Sequence, residues 1–223
     1  MLPISAPVLP REVARGAVFI VLEGIDGSGT TTQVERVAVR LAARGRRANG
    51  TREPSDGHVG RLLREILLGG HRCPDGNPVE GGTMALLFAA DRRDHLQREI
   101  EPALAAGIDV ISDRYLLSSL AYQSEESDRE WVQLLARGVR VPDLTVLLDL
   151  PVEIAARRRQ AAGRPVERYD ADSFLARVAE RYRELARSEP AVAVVDGAAP
   201  IDVVTDAILR AIEHLPALRV DLG

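Results

Sequence analysis

The chain has 223 residues, a length that fits one domain or one domain with an insertion. With 46% hydrophobic residues, 28% charged residues and a net charge of −4, it reads as an ordinary soluble globular protein. That balance argues against a dedicated nucleic-acid or polybasic membrane surface.

Cys73 is the only cysteine, which excludes an intrachain disulfide framework and any multi-cysteine metal site. The histidines (His58, His71, His95, His214) are dispersed and show no metal-ligand spacing. The longest apolar run, Met84 to Ala90, is far short of a membrane span. The N-terminal stretch Met1–Gly16 has no apolar run long enough for a signal peptide, which predicts a cytoplasmic protein. All 29 basic residues are arginine. No chemistry that needs an ammonium side chain can operate here.

Short apolar runs alternate with longer amphipathic stretches, the βαβα pattern of a parallel sheet covered by helices. Ala17–Leu22 is continuously apolar and bounded by glycines, as expected of a central strand buried on both faces. Thr30 to Arg44 follows as a helix stopped by Gly45. Arg47–Arg52, weakly apolar, stands where a five-stranded sheet wants a further strand. Glu80 to Ala106 is expected as a long helical region ending near Gly107. Ile108–Ser112 is the next strand, and Tyr115 to Arg137 is mostly helix. Leu144–Leu150 and Val194–Asp196 are the last strands. Pro151 to Ala162 and Ala171 to Arg187 are expected as helices flanking an arginine-rich loop, with Pro200 to His214 closing the chain.

Two segments carry chemistry. The first strand runs through Glu23-Gly24-Ile25-Asp26-Gly27-Ser28-Gly29-Thr30-Thr31-Thr32 into a helix. A glycine-rich turn at that junction lets backbone N–H groups converge on a phosphate, and the helix N-terminus adds its positive end. Gly24 and Gly29 have the offset of a P-loop and Thr31 the place of the Mg²⁺-ligating hydroxyl, but Thr30 stands where the lysine belongs. A plain strand-to-helix turn is the bland alternative. Next, Ser112-Asp113-Arg114-Tyr115 closes the Ile108–Ser112 strand. Ligands of parallel sheets bind beyond the carboxyl ends of strands, where a carboxylate can hold a Mg²⁺ water and an arginine can grip phosphate. A surface Asp–Arg pair is equally ordinary.

These segments, with Thr51-Arg52-Glu53-Pro54, Leu87-Phe88-Ala89-Ala90-Asp91-Arg92, Ser118-Ser119, Ala121-Tyr122-Gln123 and Pro142-Asp143-Leu144, resemble the bacterial thymidylate kinases in order and separation. The resemblance runs from about Ala17 to His214. It implies a P-loop three-layer αβα sandwich with a five-stranded parallel sheet and an arginine-rich lid over about 157–170. It also implies one domain over 17–216, between an extension (1–16) and a tail (217–223). The implied activity is transfer of the ATP γ-phosphoryl group to dTMP with Mg²⁺, in a protein without nucleic-acid or membrane partners, and the family commonly forms homodimers. A non-catalytic nucleotide-binding protein and a kinase for another (deoxy)nucleoside monophosphate are the alternatives.

By the same resemblance, Gly24, Gly27, Ser28, Gly29, Thr30, Thr31 and Thr32 would hold ATP, with Thr31 and Asp113 at the metal. Asp26, Asp113, Arg114, Arg164 and Arg168 are the implied catalytic set, the last two from the lid. Asp26, Arg52, Arg64, Phe88, Arg92, Arg114, Ser119, Tyr122 and Gln123 are the implied dTMP-binding set. Asp26 would face the sugar hydroxyl, Phe88 would stack on the base and Arg92 would donate to its carbonyl. Taken alone, Phe88 would read as core beside Met84, Leu86 and Leu87, and Arg92 with Arg93 as a solvated helix face. The family also follows Glu-Pro with glycines, where this chain has Ser55-Asp56 before Gly57.

Overall fold

A computed structural model describes residues 16–163, 165–189 and 191–215. Five strands form one parallel sheet: β1 (Phe19–Glu23), β2 (Ala48–Arg52), β3 (Asp109–Asp113), β4 (Leu144–Asp149) and β5 (Val192–Asp196), in the order β2-β3-β1-β4-β5. Every residue of β1 is buried, because helices cover both faces. Its side chains alternate between two cores. Val18, Ile20 and Leu22 pack against Val34, Val37 and Leu41 of α1 (Thr30–Ala43) and Val204, Ile208 and Ile212 of α9 (Ile201–Glu213). Phe19 and Val21 pack on the other side, against Ala85, Ile100, Leu104 and Tyr115.

That second face carries α3 (Gly81–His95), which continues through a π-helical turn (Leu96–Ile100) into α4 (Glu101–Ala105). Glu80 caps α3 by accepting from the backbone N–H groups of Gly82 and Thr83. The expected Tyr115–Arg137 helix is broken into α5 (Leu116–Tyr122), a 3₁₀ turn and α6 (Arg129–Leu135), the last capped by Asp128. Remaining on this face are α2 (His58–Leu67), α7 (Val152–Ala161) and α8 (Asp172–Ser188).

The weakly apolar Arg47–Arg52 segment is the edge strand β2, so the five-stranded sheet holds. Helix α2 is an element the sequence reading left out. It buries Gly60, Leu63, Ile66 and Leu67 on one stripe, and a Cβ on Gly60 would fall 2.0 Å from the Ser55 carbonyl oxygen. Among the described residues, no helix is long and apolar enough to cross a membrane. The extension and tail lie outside the described residues except for Gly16, as does Arg164.

Candidate active site

The carboxyl ends of β1 and β3 lie side by side, with Leu22 opposite Asp113, and a cavity of about 480 Å³ opens above them. The loop after β1 forms its floor. Gly27 (φ +89°) and Gly29 (φ +96°) hold backbone conformations that a side chain would strain. Gly29 is also the N-cap of α1, so the helix N-terminus points its unpaired N–H groups at the cavity. Asp26, Gly27, Gly29, Thr30, Thr31 and Thr32 line the space, whereas Gly24 packs against Ser28 and the Leu148 carbonyl beneath the loop. The buried hydroxyl of Ser28 has no partner among the described residues.

Asp113 sits at the tip of β3 and takes a short hydrogen bond from the Thr31 hydroxyl on Oδ2. Its other oxygen, Oδ1, is buried and without a partner among the described residues. Arg114 follows in a left-handed conformation (φ 70°), its amide bonded to the Leu22 carbonyl at 2.8 Å. This turns its guanidinium back across the loop onto Asp26 Oδ1 at 3.1 Å, over the Tyr122 ring at 5.2 Å and near the Tyr182 hydroxyl at 3.3 Å. Tyr122 donates to Asp26 Oδ2 at 3.0 Å. Burial opposes the Arg114 charge, but Tyr122 and Asp26 outweigh it and hold the group well above its ordinary pKa.

Under this layer lies Glu23, fully buried, which the sequence reading quoted without a role. It accepts from the amides of Tyr115 (3.0 Å) and Ser118 (3.1 Å) and from the hydroxyls of Ser118 (2.6 Å) and Tyr182 (3.0 Å). Burial pushes its carboxyl above the usual range, partly offset by the Ser118 hydroxyl and Arg114. Its work is to lock the turn that presents Arg114.

The far wall comes from β2, α3 and α5. Phe88 is half-buried at the cavity edge rather than in the core. Arg92 is buried rather than solvated: Nε donates to Glu53 at 3.1 Å, and Nη2 to Ser119 Oγ at 2.6 Å and the Tyr115 carbonyl at 3.1 Å. Gln123 is buried behind Tyr122 and also lines the space. Arg52 and Arg64 converge on one oxygen of Asp56 at 2.8 and 3.0 Å. Arg52 first, helped by Arg64, holds that carboxyl below its usual pKa.

The lid side differs from expectation. Arg168 does not line the cavity; it is held by the Val79 carbonyl, by Glu126 at 3.0 Å and over the Tyr169 ring. Among the described residues of the lid side, the arginines that reach the loop are Arg158 and Arg159 of α7. Arg158 Nη1 bridges the carbonyls of Ser28 (3.3 Å) and Gly197 (2.9 Å). Arg159 Nη1 donates to the Asp26 carbonyl at 2.7 Å, and its other nitrogens meet Asp170 and Asp172. A Cβ on Gly27 would sit 3.1 Å from Arg159 Cγ and 2.5 Å from the Ala155 carbonyl oxygen, so the missing side chain is what admits α7.

The family model for thymidylate kinase matches residues 22–208. A probable thymidylate kinase of Pyrococcus abyssi is 40% identical over 197 residues, covering 88% of this chain and 96% of its own. A thymidylate kinase of Synechococcus sp. is 41% identical, covering 90% of this chain and 97% of its own. For one of Thermomicrobium roseum the figures are 40%, 85% and 91%.

Proposed function

Because the chain belongs to the thymidylate kinase family, we propose that it moves the γ-phosphoryl group of ATP to dTMP, giving dTDP and ADP. One observation carries the reading: a single cavity joins the glycine loop and Asp113–Arg114 to the Phe88, Arg92 and Tyr122 wall. Donor phosphates on the loop and an acceptor base on that wall would bring the two phosphates together at Arg114. An oxygen of the dTMP phosphate forms the new P–O bond as the bond to the departing ADP oxygen breaks. Such a transfer needs positioning and charge neutralisation more than covalent help. The loop amides and the α1 N-terminus would hold the ATP phosphates. Arg114, fixed by Asp26 and the tyrosines, faces the gap between donor and acceptor. Phe88 would stack on thymine while Arg92 meets its carbonyl, and Arg52 and Arg64 would grip the acceptor phosphate once they leave Asp56.

The residues present fit a Mg²⁺ ion. A buried carboxylate oxygen of Asp113 lacks a partner among the described residues, and the Thr31 hydroxyl is held on its neighbour. Thr31 and Asp113 would hold the ion, which would neutralise charge on the donor phosphates. The P-loop lysine is replaced by Thr30, a short neutral hydroxyl. We assign the compensating cation to Arg159, the guanidinium bonded to the loop backbone beside Gly27. A homodimer formed by helices away from the cavity belongs to the same reading, by analogy with the family.

Coupled ADP-release measurements with dTMP, dUMP, dCMP and no acceptor test the proposal. Release with dTMP well above the other three supports it. Thr30 favours a second reading, a nucleotide-binding protein without turnover, and tight ATP binding with no acceptor-dependent release would select that reading.

A further inference from the structure

Behind the acceptor wall lies a buried polar cluster that the phosphoryl-transfer reading does not use. Glu53, on the loop leaving β2, is almost fully buried and shares its two oxygens between a guanidinium and an imidazole. Oε2 takes the Nε of Arg92 at 3.1 Å, and Oε1 faces Nδ1 of His95 at 3.4 Å. His95 is one helical turn beyond Arg92 on α3, with 1% of its side chain exposed. Its Nε2 lies 2.7 Å from the Thr51 hydroxyl and 3.6 Å from Glu99. Asp91, the remaining carboxylate nearby, is occupied by the amide and hydroxyl of Ser55 at 2.7 and 2.6 Å. Asp94 and Arg98, next on the same face of the chain, pair with each other at 3.7 Å.

We propose that His95 is a positioning residue for the acceptor base, acting through Glu53 to set how Arg92 is presented to the cavity. This inference rests on the assignment of Arg92 to the base of dTMP. A buried carboxylate needs its charge matched by its neighbours. With His95 protonated, Glu53 is shared, and Arg92 gives it only Nε. Nη2 then stays on Ser119 and Tyr115, and Nη1, which has no protein partner among the described residues, is left for the ligand. With His95 neutral, the whole carboxylate charge falls to Arg92. The planar guanidinium is built to answer with a two-pronged grip through Nε and Nη2, and that rotation takes Nη2 off Ser119 and swings the plane out of register with the base.

The sign of the pH dependence follows. Burial disfavours the imidazolium, but the hydrogen bond and charge of Glu53, with Glu99 and Asp91 behind it, outweigh burial and raise the pKa above the ordinary histidine value. The competent state is therefore populated below that raised pKa and lost as pH rises through it. Base affinity should fall as the solution becomes alkaline.

Thymidine is the suitable probe because it has no phosphate to titrate over the same range. Its dissociation constant, measured by calorimetry on the full chain, should rise about five- to tenfold between pH 6 and pH 9, the scale of one charge-assisted hydrogen bond weakened. His95→Gln should bind at the weak, high-pH level throughout and give a flat profile, with ATP affinity unmoved and KM for dTMP raised more than kcat is lowered. A His95→Gln profile parallel to the parent's would overturn the inference, as would a flat parent profile. Should His95→Gln not fold, Glu99→Gln removes a half-exposed charge away from the cavity and must move the profile to lower pH; an unmoved profile also overturns it. Failure of the functional reading looks different: the parent would bind no thymidine at any pH.

Discussion

Arg159→Gln is the sharpest probe of how a P-loop without lysine neutralises its phosphates. The side chain is 12% exposed and donates to two backbone carbonyls, Asp26 at 2.7 Å and, more weakly, Asp170 at 3.5 Å, besides its pairs with the Asp170 and Asp172 carboxylates. Asp172 is two-thirds exposed, so that pair contributes about 0–1 kcal/mol. The hydrogen bond from a charged group to the carbonyl is worth about 1.5–3 kcal/mol. Glutamine should therefore cost the fold roughly 2–4 kcal/mol, visible as a lower melting temperature without loss of structure. The cost to the reaction is separate. Removing a preorganised donor from a transferring phosphoryl group costs about 3–4 kcal/mol, or ~10²–10³ in kcat. Thr30→Lys restores a point charge at the loop, so it should raise kcat at least tenfold more in the Arg159→Gln background than in the parent. Initial rates of ADP release at saturating ATP and dTMP give the four corners of the cycle. If the two substitutions multiply independently, arginine and loop do not share the task and the assignment is wrong.

Three further outcomes follow from the cavity. Asp113→Asn keeps the shape of the side chain but removes the charge that Thr31 and the orphaned oxygen share, so turnover should drop by a factor of ~10² or more at any Mg²⁺ concentration; a Mg²⁺ titration of rate checks it. Phe88→Ala and Arg92→Ala should each weaken dTMP binding by about 1–3 kcal/mol while leaving ATP affinity intact, and calorimetry showing equal losses for both ligands would count against the base pocket. Gly27→Ala forces a Cβ to within 2.5 Å of the Ala155 carbonyl oxygen at a positive φ; it should lower stability by about 1–3 kcal/mol and weaken ATP more than dTMP, read by thermal melts with each ligand.

The strands and most helices were legible because burial on two faces leaves continuous apolar runs and burial on one leaves a stripe. Helix α2 had such a stripe in Leu63, Ile66 and Leu67, but Gly57 precedes it, Gly60 falls in its first turn and Gly69-Gly70 follow it, and glycines so close together weaken a helical pattern. Gly60 serves close backbone approach instead, as its contact with Ser55 shows, and Gly69 supplies the positive φ (+80°) of the turn that follows the helix. Motif order brought Phe88, Arg92, Ser119, Tyr122, Gln123 and the glycine loop into view, and the structure gathers them in one cavity. It could not tell one lid arginine from another. Arg168 is captured by Glu126, 42 positions away, and by the Val79 carbonyl, partners that no local pattern reveals. Glu23, Glu53 and His95 were equally hidden, since a buried polar residue in a short motif looks like any other until its partners fold around it. Asp56 was noticed only as a departure from a glycine pattern, yet it is the carboxylate on which Arg52 and Arg64 meet.

The strand order has a consequence for how such a protein can change. From β1 the chain builds outward through β3 and β2 on one flank and through β4 and β5 on the other. Arg158 and Arg159 approach the loop from the β4 flank, whereas Phe88, Arg92, Ser119 and Glu53 stand on the β3 flank. At the seam between them Asp26 meets both Arg114 and Tyr122, and Arg114 also meets Tyr182 of α8. Under the proposed function, mutational drift on one flank would therefore retune the substrate bound there while the other flank keeps its own. On the same reading the seam tolerates no such freedom, because a change in Asp26 or Arg114 would be felt by both substrates at once.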